Sequence, residues 1–313
     1  ITSQTICSGV AITPVTPTGS SVSNTVYNWT GTPQSGITPT GVVNGSGLIT
    51  TSPAWNNPTT STLDVVYTVT PVANGCPGTP TTFTVTLKPL PTVNSIPPQS
   101  VCSGNTFSTV TPTGSFLSNT TYNWTGTPQV GITPAGIVNG SGAITSTPAW
   151  INSTSNSLDV LYTVTPVANG CSGVPTTFTL TVKPIPVVNS IPSQSLCSGN
   201  TMTAINPTGS TVNNTIYNWT GSPQSGITPS GVVNGNGAIT TVPVWINPTT
   251  NPLDVIYTVT PIANGCNGTP IVFNVTVNPI PIINSITSQT ICSGVAITPV
   301  TPTGSSVSNT TYN

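Results

Sequence analysis

Ile1–Ser20 reads ITSQTICSGVAITPVTPTGS, and the same stretch returns unchanged at Ile286–Ser305. Two further versions lie between them. Cys7, Cys102, Cys197 and Cys292 fall 95 residues apart, and Cys76, Cys171 and Cys266 keep the same step without insertion or deletion. Self-similarity at a fixed step marks copies of one structural unit. The expected units are residues 1–95, 96–190 and 191–285, followed by 286–313, which opens a fourth. That opening differs from the first unit over its 28 residues only at Thr311, where the first has Val26. So short a segment buries too little surface to fold alone. Without an initiator Met or signal peptide, the chain is expected to be a window on a longer array. The alternative is that 286–313 completes a unit of a neighbouring chain by strand addition.

Within one unit the apolar spacing is that of strands. Phe83, Val85 and Leu87 alternate with Thr82, Thr84 and Thr86, and Val65, Tyr67 and Val69 alternate with Val66, Thr68 and Thr70. Strict alternation gives each strand one buried and one wet face. Asn74-Gly75-Cys76-Pro77-Gly78 between them reads as a turn. Asn44-Gly45, inside Val42–Ile49, predicts a hairpin, because Asn-Gly accepts the positive φ of a primed turn. Val10–Thr16 and Val26–Thr30 supply further strands. No stretch has helical periodicity, and Pro interrupts every long segment. The expectation is all-β: immunoglobulin-like sandwiches of about seven strands each, arranged end to end.

Charged residues are 2% of the chain, with two Lys, three Asp and no Glu, Arg or His. No basic patch can neutralise phosphates, which excludes nucleic acid. No long apolar run or polybasic segment suits membrane insertion. Weak repulsion between copies tolerates side-by-side packing, as in a filament. The absence of His and of paired carboxylates leaves nothing for a hydrolytic triad or an acid–base pair, so no enzyme is expected. One acid per unit (Asp64, Asp159, Asp254) falls short of a calcium site, so no metal or cofactor is expected. Recurrent Cys without CxxC or His read as disulfides, which place the chain outside the reducing cytosol. Asn28, Asn123 and Asn218 each open an Asn-x-Thr triplet that permits glycosylation.

Tyr27-Asn28-Trp29, the Tyr67–Thr70 and Ala73–Cys76 pair with Thr82–Thr86, the ICSG opening and the Lys88-Pro89-Leu90-Pro91 exit together resemble PKD-like repeats of giant surface proteins in gliding bacteria. The resemblance runs over all 313 residues. It implies export, cell-surface display, and a role in adhesion or motility. Gly31-Thr32-Pro33 stands where many PKD domains carry an acidic loop.

The functional expectation is a structural segment of a secreted bacterial surface adhesin or extracellular filament, its repeats setting length and stiffness. Its partners would be neighbouring modules, other copies of the fibre and surface polysaccharide. The alternative is a carbohydrate-binding or spacer module of a secreted polysaccharide-acting protein. Trp29, Trp124 and Trp219 are expected in the core between sheets. Trp55, Trp150 and Trp245, in Pro- and Asn-rich segments, are the candidate ligand-facing rings, one per unit, but a packed covering position is the preferred reading because large rings are usually mostly buried. Lys88 and Lys183 are poor candidates for an isopeptide bond, because alternation points Lys88 outward, and the third unit has Asn278 instead. Asp64 and Lys88 are expected as solvent-face neighbours. The Pro-x-Pro exits predict semi-rigid joints and an advance of about 35–45 Å per unit.

For the disulfides, Cys7 near the start of the first strand and Cys76 in the turn before the last strand are expected at one pole of a sandwich. Cys102 would lie about 30 Å further along, whereas bridged Cα atoms lie within about 7 Å. The expected pairs are therefore Cys7–Cys76, Cys102–Cys171 and Cys197–Cys266, with the partner of Cys292 outside the chain.

Overall fold

The computed structural model describes residues 1–50, 54–240 and 243–313. Each complete repeat builds one six-stranded sheet, and no helix occurs among the described residues. In the first, β1 (Gln4–Cys7), β2 (Val26–Pro33), β3 (Val43–Ser46), β4 (Leu63–Ala73), β5 (Cys76–Pro77) and β6 (Thr81–Lys88) take the order β1-β6-β4-β2-β3, with β5 paired to β4. The second comprises β7 (Gln99–Cys102), β8 (Thr121–Pro128), β9 (Ile132–Thr133), β10 (Val138–Ser141), β11 (Ile151–Asn152), β12 (Leu158–Ala168), β13 (Cys171–Ser172) and β14 (Thr176–Lys183). Its main sheet repeats the first order, while β9 and β11 pair separately. The third repeats it with β15 (Gln194–Cys197), β16 (Ile216–Pro223), β17 (Val233–Asn236), β18 (Leu253–Ala263), β19 (Cys266–Asn267) and β20 (Ile271–Asn278).

The alternating threonines explain the register. β4 pairs antiparallel with β6 so that Val65 meets Val85, Tyr67 meets Phe83 and Leu63 meets Leu87. Val65, Tyr67, Val69, Phe83, Val85 and Leu87 are all buried, while Thr or Val at the positions between them faces outward. The Tyr67 and Phe83 rings stack at 4.9 Å and 12°. Such a pair contributes about 0.5–1.5 kcal/mol beyond its area. Asp64 lies opposite Thr86 and accepts its hydroxyl hydrogen at 2.7 Å. Lys88 shares that face but donates to the Asn169 carbonyl at 2.9 Å, so the expected Asp64–Lys88 pairing is not what holds it.

A second layer covers this sheet, and it is less regular than a seven-strand sandwich implies. Val10–Thr16 is not a strand: Val15 alone bridges to Ile49, and Thr38 bridges to Asn56. Pro in these segments removes the amide donors that a continuous ladder needs. Ile12, Ile37, Ile49 and Trp55 from this layer are nonetheless buried against the sheet. Asn44-Gly45 is not a turn either. It lies inside β3, and the positive φ falls on Gly47 at 75°. Gly45 sits opposite Trp29, whose indole lies across it and leaves no room for a Cβ. Gly140 under Trp124 and Gly235 under Trp219 repeat the arrangement.

A buried polar knot ties the layers together. The Asn57 side-chain amide donates to the carbonyls of Ser61 at 2.8 Å and Leu87 at 2.9 Å, and its oxygen accepts from Thr59. The Asn57 backbone amide donates to Ser8 Oγ at 2.7 Å. Asn152 and Asn247 make the same bonds in their repeats. Every hydrogen-bonding group of the buried amide is thus matched, which is the condition for burying one without penalty.

Contacts divide the described chain into two compact units. The first holds Ile1–Val101, Asn105–Ile151 and Asp159–Thr181; the second holds Cys102–Gly104, Asn152–Leu158 and Val182–Asn313. Residues 286–313 carry no strand.

Trp55 Nε1 donates to the buried Tyr67 hydroxyl at 3.0 Å, as Trp150 does to Tyr162 and Trp245 to Tyr257 at 3.1 Å. Burial raises the pKa of these tyrosines above the usual value, and the indole hydrogen bond offsets part of the rise. A raised folded-state pKa gives stability that is full below the unfolded value of about 10 and is lost as pH rises through the folded value. Thermal melts followed from about pH 8 to 12 should show Tm falling above about pH 10. Replacing all three by Phe should flatten that fall. The same change should cost about 1–3 kcal/mol per repeat at neutral pH, because each indole N–H is left buried without a partner.

Candidate functional site

No metal-competent cluster of His, Cys, Asp or Glu occurs among the described residues. No helix there is long and apolar enough to cross a membrane. The chemistry-bearing residues are the cysteines, and strand direction decides their placement. β1 runs parallel to β6, with Gln4 beside Val85 and Cys7 beside Lys88. Cys7 therefore lies at the exit end of the last strand, where Ser8 N donates to the Lys88 carbonyl at 2.8 Å. Cys76 lies at the opposite end. It pairs with Ala73 across a two-residue turn in which Asn74 and Gly75 take φ of 51° and 79°. The eight residues of β6 separate the two ends by about 26 Å.

The expected pairing within repeats is accordingly wrong, because it set Cys7 and Cys76 at one pole. Cys7 is bonded to Cys171 and Cys102 to Cys266, each with Cα atoms 5.7 Å apart and a sequence separation of 164. Each bridge joins the first-strand cysteine of one repeat to the turn cysteine of the next. Cys76, Cys197 and Cys292 are free and exposed.

Around each bridge the joint is built from the exit segment. Lys88 caps the Asn169 carbonyl, and the Pro91 carbonyl occupies the space that a side chain at Gly173 would need. Thr92 Oγ1 donates to the Gly114 carbonyl at 2.9 Å, and Asn94 N donates to the Thr113 carbonyl at 2.8 Å. Gly114 has φ of 140° and lies against Asn94. At the next joint, Pro186 meets Gly268, and Asn189 N donates to the Thr208 carbonyl at 2.8 Å. Nothing local in the sequence marks Gly173 or Gly114 as joint residues. Their recurrence at the same step as Cys171 is the one available signal.

The tryptophans settle the choice between a ligand-facing ring and a packed cover in favour of the cover. Trp55, Trp150 and Trp245 are each 1% exposed, so they cannot present rings to a polysaccharide. Their Pro- and Asn-rich segments fold over the sheet as its second layer. Trp29 and Trp124 are half-buried and Trp219 is buried. They pack on the core from the sheet itself, with Trp29 and Tyr67 ring centroids 6.0 Å apart. The indole nitrogens of Trp29, Trp124 and Trp219 are buried without a hydrogen-bond partner.

Residues 4–91, 99–186 and 194–281 each match the family model described as a PKD-like domain. The chain belongs to the PKD-like domain family. Among curated proteins, none matches it. Solved structures with partial likeness include Sidekick-1 immunoglobulin domains 1–4, at 13% identity over 90% of this chain and 73% of that one, TM-score 0.24. The chicken CNTN1 FN1–FN3 domains share 10% identity over 80% and 89%, TM-score 0.29. A 1.5-MDa bacterial ice-binding adhesin shares 14% over 88% and 95%, TM-score 0.29.

These PKD-like repeats should reveal their bridging in a thiol titration. Unfolded without reductant, the chain should present three thiols, and after reduction seven. Cys7→Ser should add one thiol, mapping by peptide mass to Cys171. Mapping to Cys76 would restore the pairing within repeats.

Proposed function

We propose that this chain is a load-bearing segment of a secreted bacterial surface adhesin or extracellular filament, in which modules 1–95, 96–190 and 191–285, with 286–313 opening a fourth, set reach and stiffness. The observation that carries this reading is the position of the disulfides: they cross from one module to the next instead of closing a module on itself. A bridge inside a module protects that module. A bridge across a joint keeps two modules engaged when the chain is pulled, which serves a stalk and does nothing for catalysis. Disulfides also require an oxidising compartment, which supports an extracellular place. The resemblance to surface repeats of gliding bacteria supports a role in adhesion or motility at the cell surface.

Single-molecule pulling between Ile1 and Asn313 tests the mechanical part. With both bridges closed, the shortest covalent path runs 1–7, 171 back to 102, then 266–313, about 120 residues or roughly 400 Å at full extension. Reduction should lengthen this to roughly 1,000–1,100 Å for the 313-residue chain. Equal lengths in the two states would remove the stalk's covalent reinforcement. The placement is tested separately, by antibody labelling of intact producing cells. Labelling only after the cells are opened would overturn the surface reading.

A further inference from the structure

The sequence contains eight Asn-Gly pairs. An Asn followed by Gly is open to attack on its side-chain amide by the Gly nitrogen, because Gly has no side chain to block the approach. The fold sorts the eight by what holds that nitrogen. In β3, Gly47 N donates to the Tyr27 carbonyl at 2.8 Å. Antiparallel alternation then makes Trp29 and Gly45 a hydrogen-bonded pair, so the amide after Asn44 is occupied. The pairs at Asn139 and Asn234 repeat this. Gly237 N donates to the Tyr217 carbonyl and Gly268 N to the Pro261 carbonyl, which occupies the amides after Asn236 and Asn267. Three pairs remain: Asn74-Gly75, Asn169-Gly170 and Asn264-Gly265. Each is an exposed two-residue turn, and its Gly nitrogen has no hydrogen-bond acceptor among the described residues.

The φ values of these turns are 51° and 79°, 53° and 79°, and 53° and 81°, those of a type I′ turn. In that turn ψ of the first residue is about +30°, which holds the Gly nitrogen away from the Asn side chain. Rotating the one peptide plane between the two residues gives a type II′ turn, with ψ about −120°. The flanking strands stay in place, and the nitrogen comes into line with Cβ, as closure of a five-membered ring requires. At Asn169 that plane is held. Lys88 Nζ donates to the Asn169 carbonyl at 2.9 Å, and the rotation would carry this oxygen to the other side of the turn.

We propose that Asn74, Asn169 and Asn264 are self-modification sites that close to a succinimide on the following Gly, and that Lys88 is the clasp restraining the reaction at Asn169. The Gly nitrogen bonds to Cγ of the Asn side chain, the Cγ–Nδ2 bond breaks, and ammonia leaves with the proton that the Gly nitrogen has lost. Water then opens the ring. Cleavage at Cγ gives Asp, and cleavage at the backbone carbonyl carbon gives isoaspartate, whose main chain is one carbon longer. Nothing is oxidised or reduced. Three such events would double the three acids of the chain, and two of the sites lie two residues before the bridge cysteines Cys171 and Cys266. The inference rests on turn geometry and stands apart from the stalk reading.

The test is incubation of the intact, oxidised chain in mildly alkaline buffer, both folded and in guanidinium, with peptide mass mapping of each site. In the folded chain only the three turn sites should convert, and in the unfolded chain all eight should. Lys88→Met should speed conversion at Asn169 about two- to fivefold relative to Asn264, and Lys88→Arg should keep the original rate. An unchanged rate at Asn264 and an intact Cys7–Cys171 link show that the variants are folded. Folded-state conversion at Asn44, Asn139 or Asn234 as fast as at the turns would overturn the proposal. So would no conversion at the turns, an unchanged or slower Asn169 in Lys88→Met, or a cross-link between Lys88 and Asn169.

Discussion

The parallel pairing of β1 with β6 governs this architecture. Parallel neighbours need a long connection between them, and residues 8–80 provide it by building the rest of the module. The pairing delivers the end of the first strand to the place where the chain leaves the module. Cys7 arrives there, Ser8 binds the exit carbonyl of Lys88, and the Asn57 knot fastens Ser8 and Leu87 to the covering layer. An antiparallel first strand would leave the cysteine at the other end, beside the turn of its own module. The direction of four residues thus decides whether the bridges seal modules or couple them.

Coupling by this route suits a chain almost without charge. Surface ion pairs contribute little even where they are plentiful, and here 2% of residues are charged. The joints instead rely on carbonyls and amides at close quarters, on Gly positions that admit a neighbouring backbone, and on one covalent bond each. In the chain-entropy account, a bridge spanning 164 residues contributes about 5 kcal/mol by restricting the unfolded chain. That is a large fraction of the stability of an ordinary domain.

The sequence made the sheet legible and hid the joints. Val65, Tyr67 and Val69 alternate against Phe83, Val85 and Leu87, so strands, burial and the Asn74-Gly75 turn followed from local chemistry. Asn44-Gly45 carries the same turn signal and lies in a strand, because Trp29 on the neighbouring strand needs a residue without a side chain there. That requirement comes from across the sheet and leaves no mark in the dipeptide. Trp55 left an exposed ring open as an alternative for a similar reason: Pro and Asn around it describe an irregular backbone, and irregular backbone can still close over a core. The cysteine partners were furthest from view. Arithmetic allows pairing within a repeat, between adjacent cysteines, or across a whole repeat, and only the direction of β1 separates them.

The two bridges interleave along the chain. One encloses residues 7 to 171 and the other 102 to 266, so every peptide bond from 7 to 266 lies inside at least one covalent loop. A protease cutting once anywhere in that span opens the backbone without releasing a fragment. Over 102–171, where the loops overlap, two cuts within the overlap free only the piece between them if it lacks both Cys102 and Cys171. A surface exposed to proteases would therefore accumulate nicks while staying one molecule, and severing it demands three cuts, one in each of 7–102, 102–171 and 171–266.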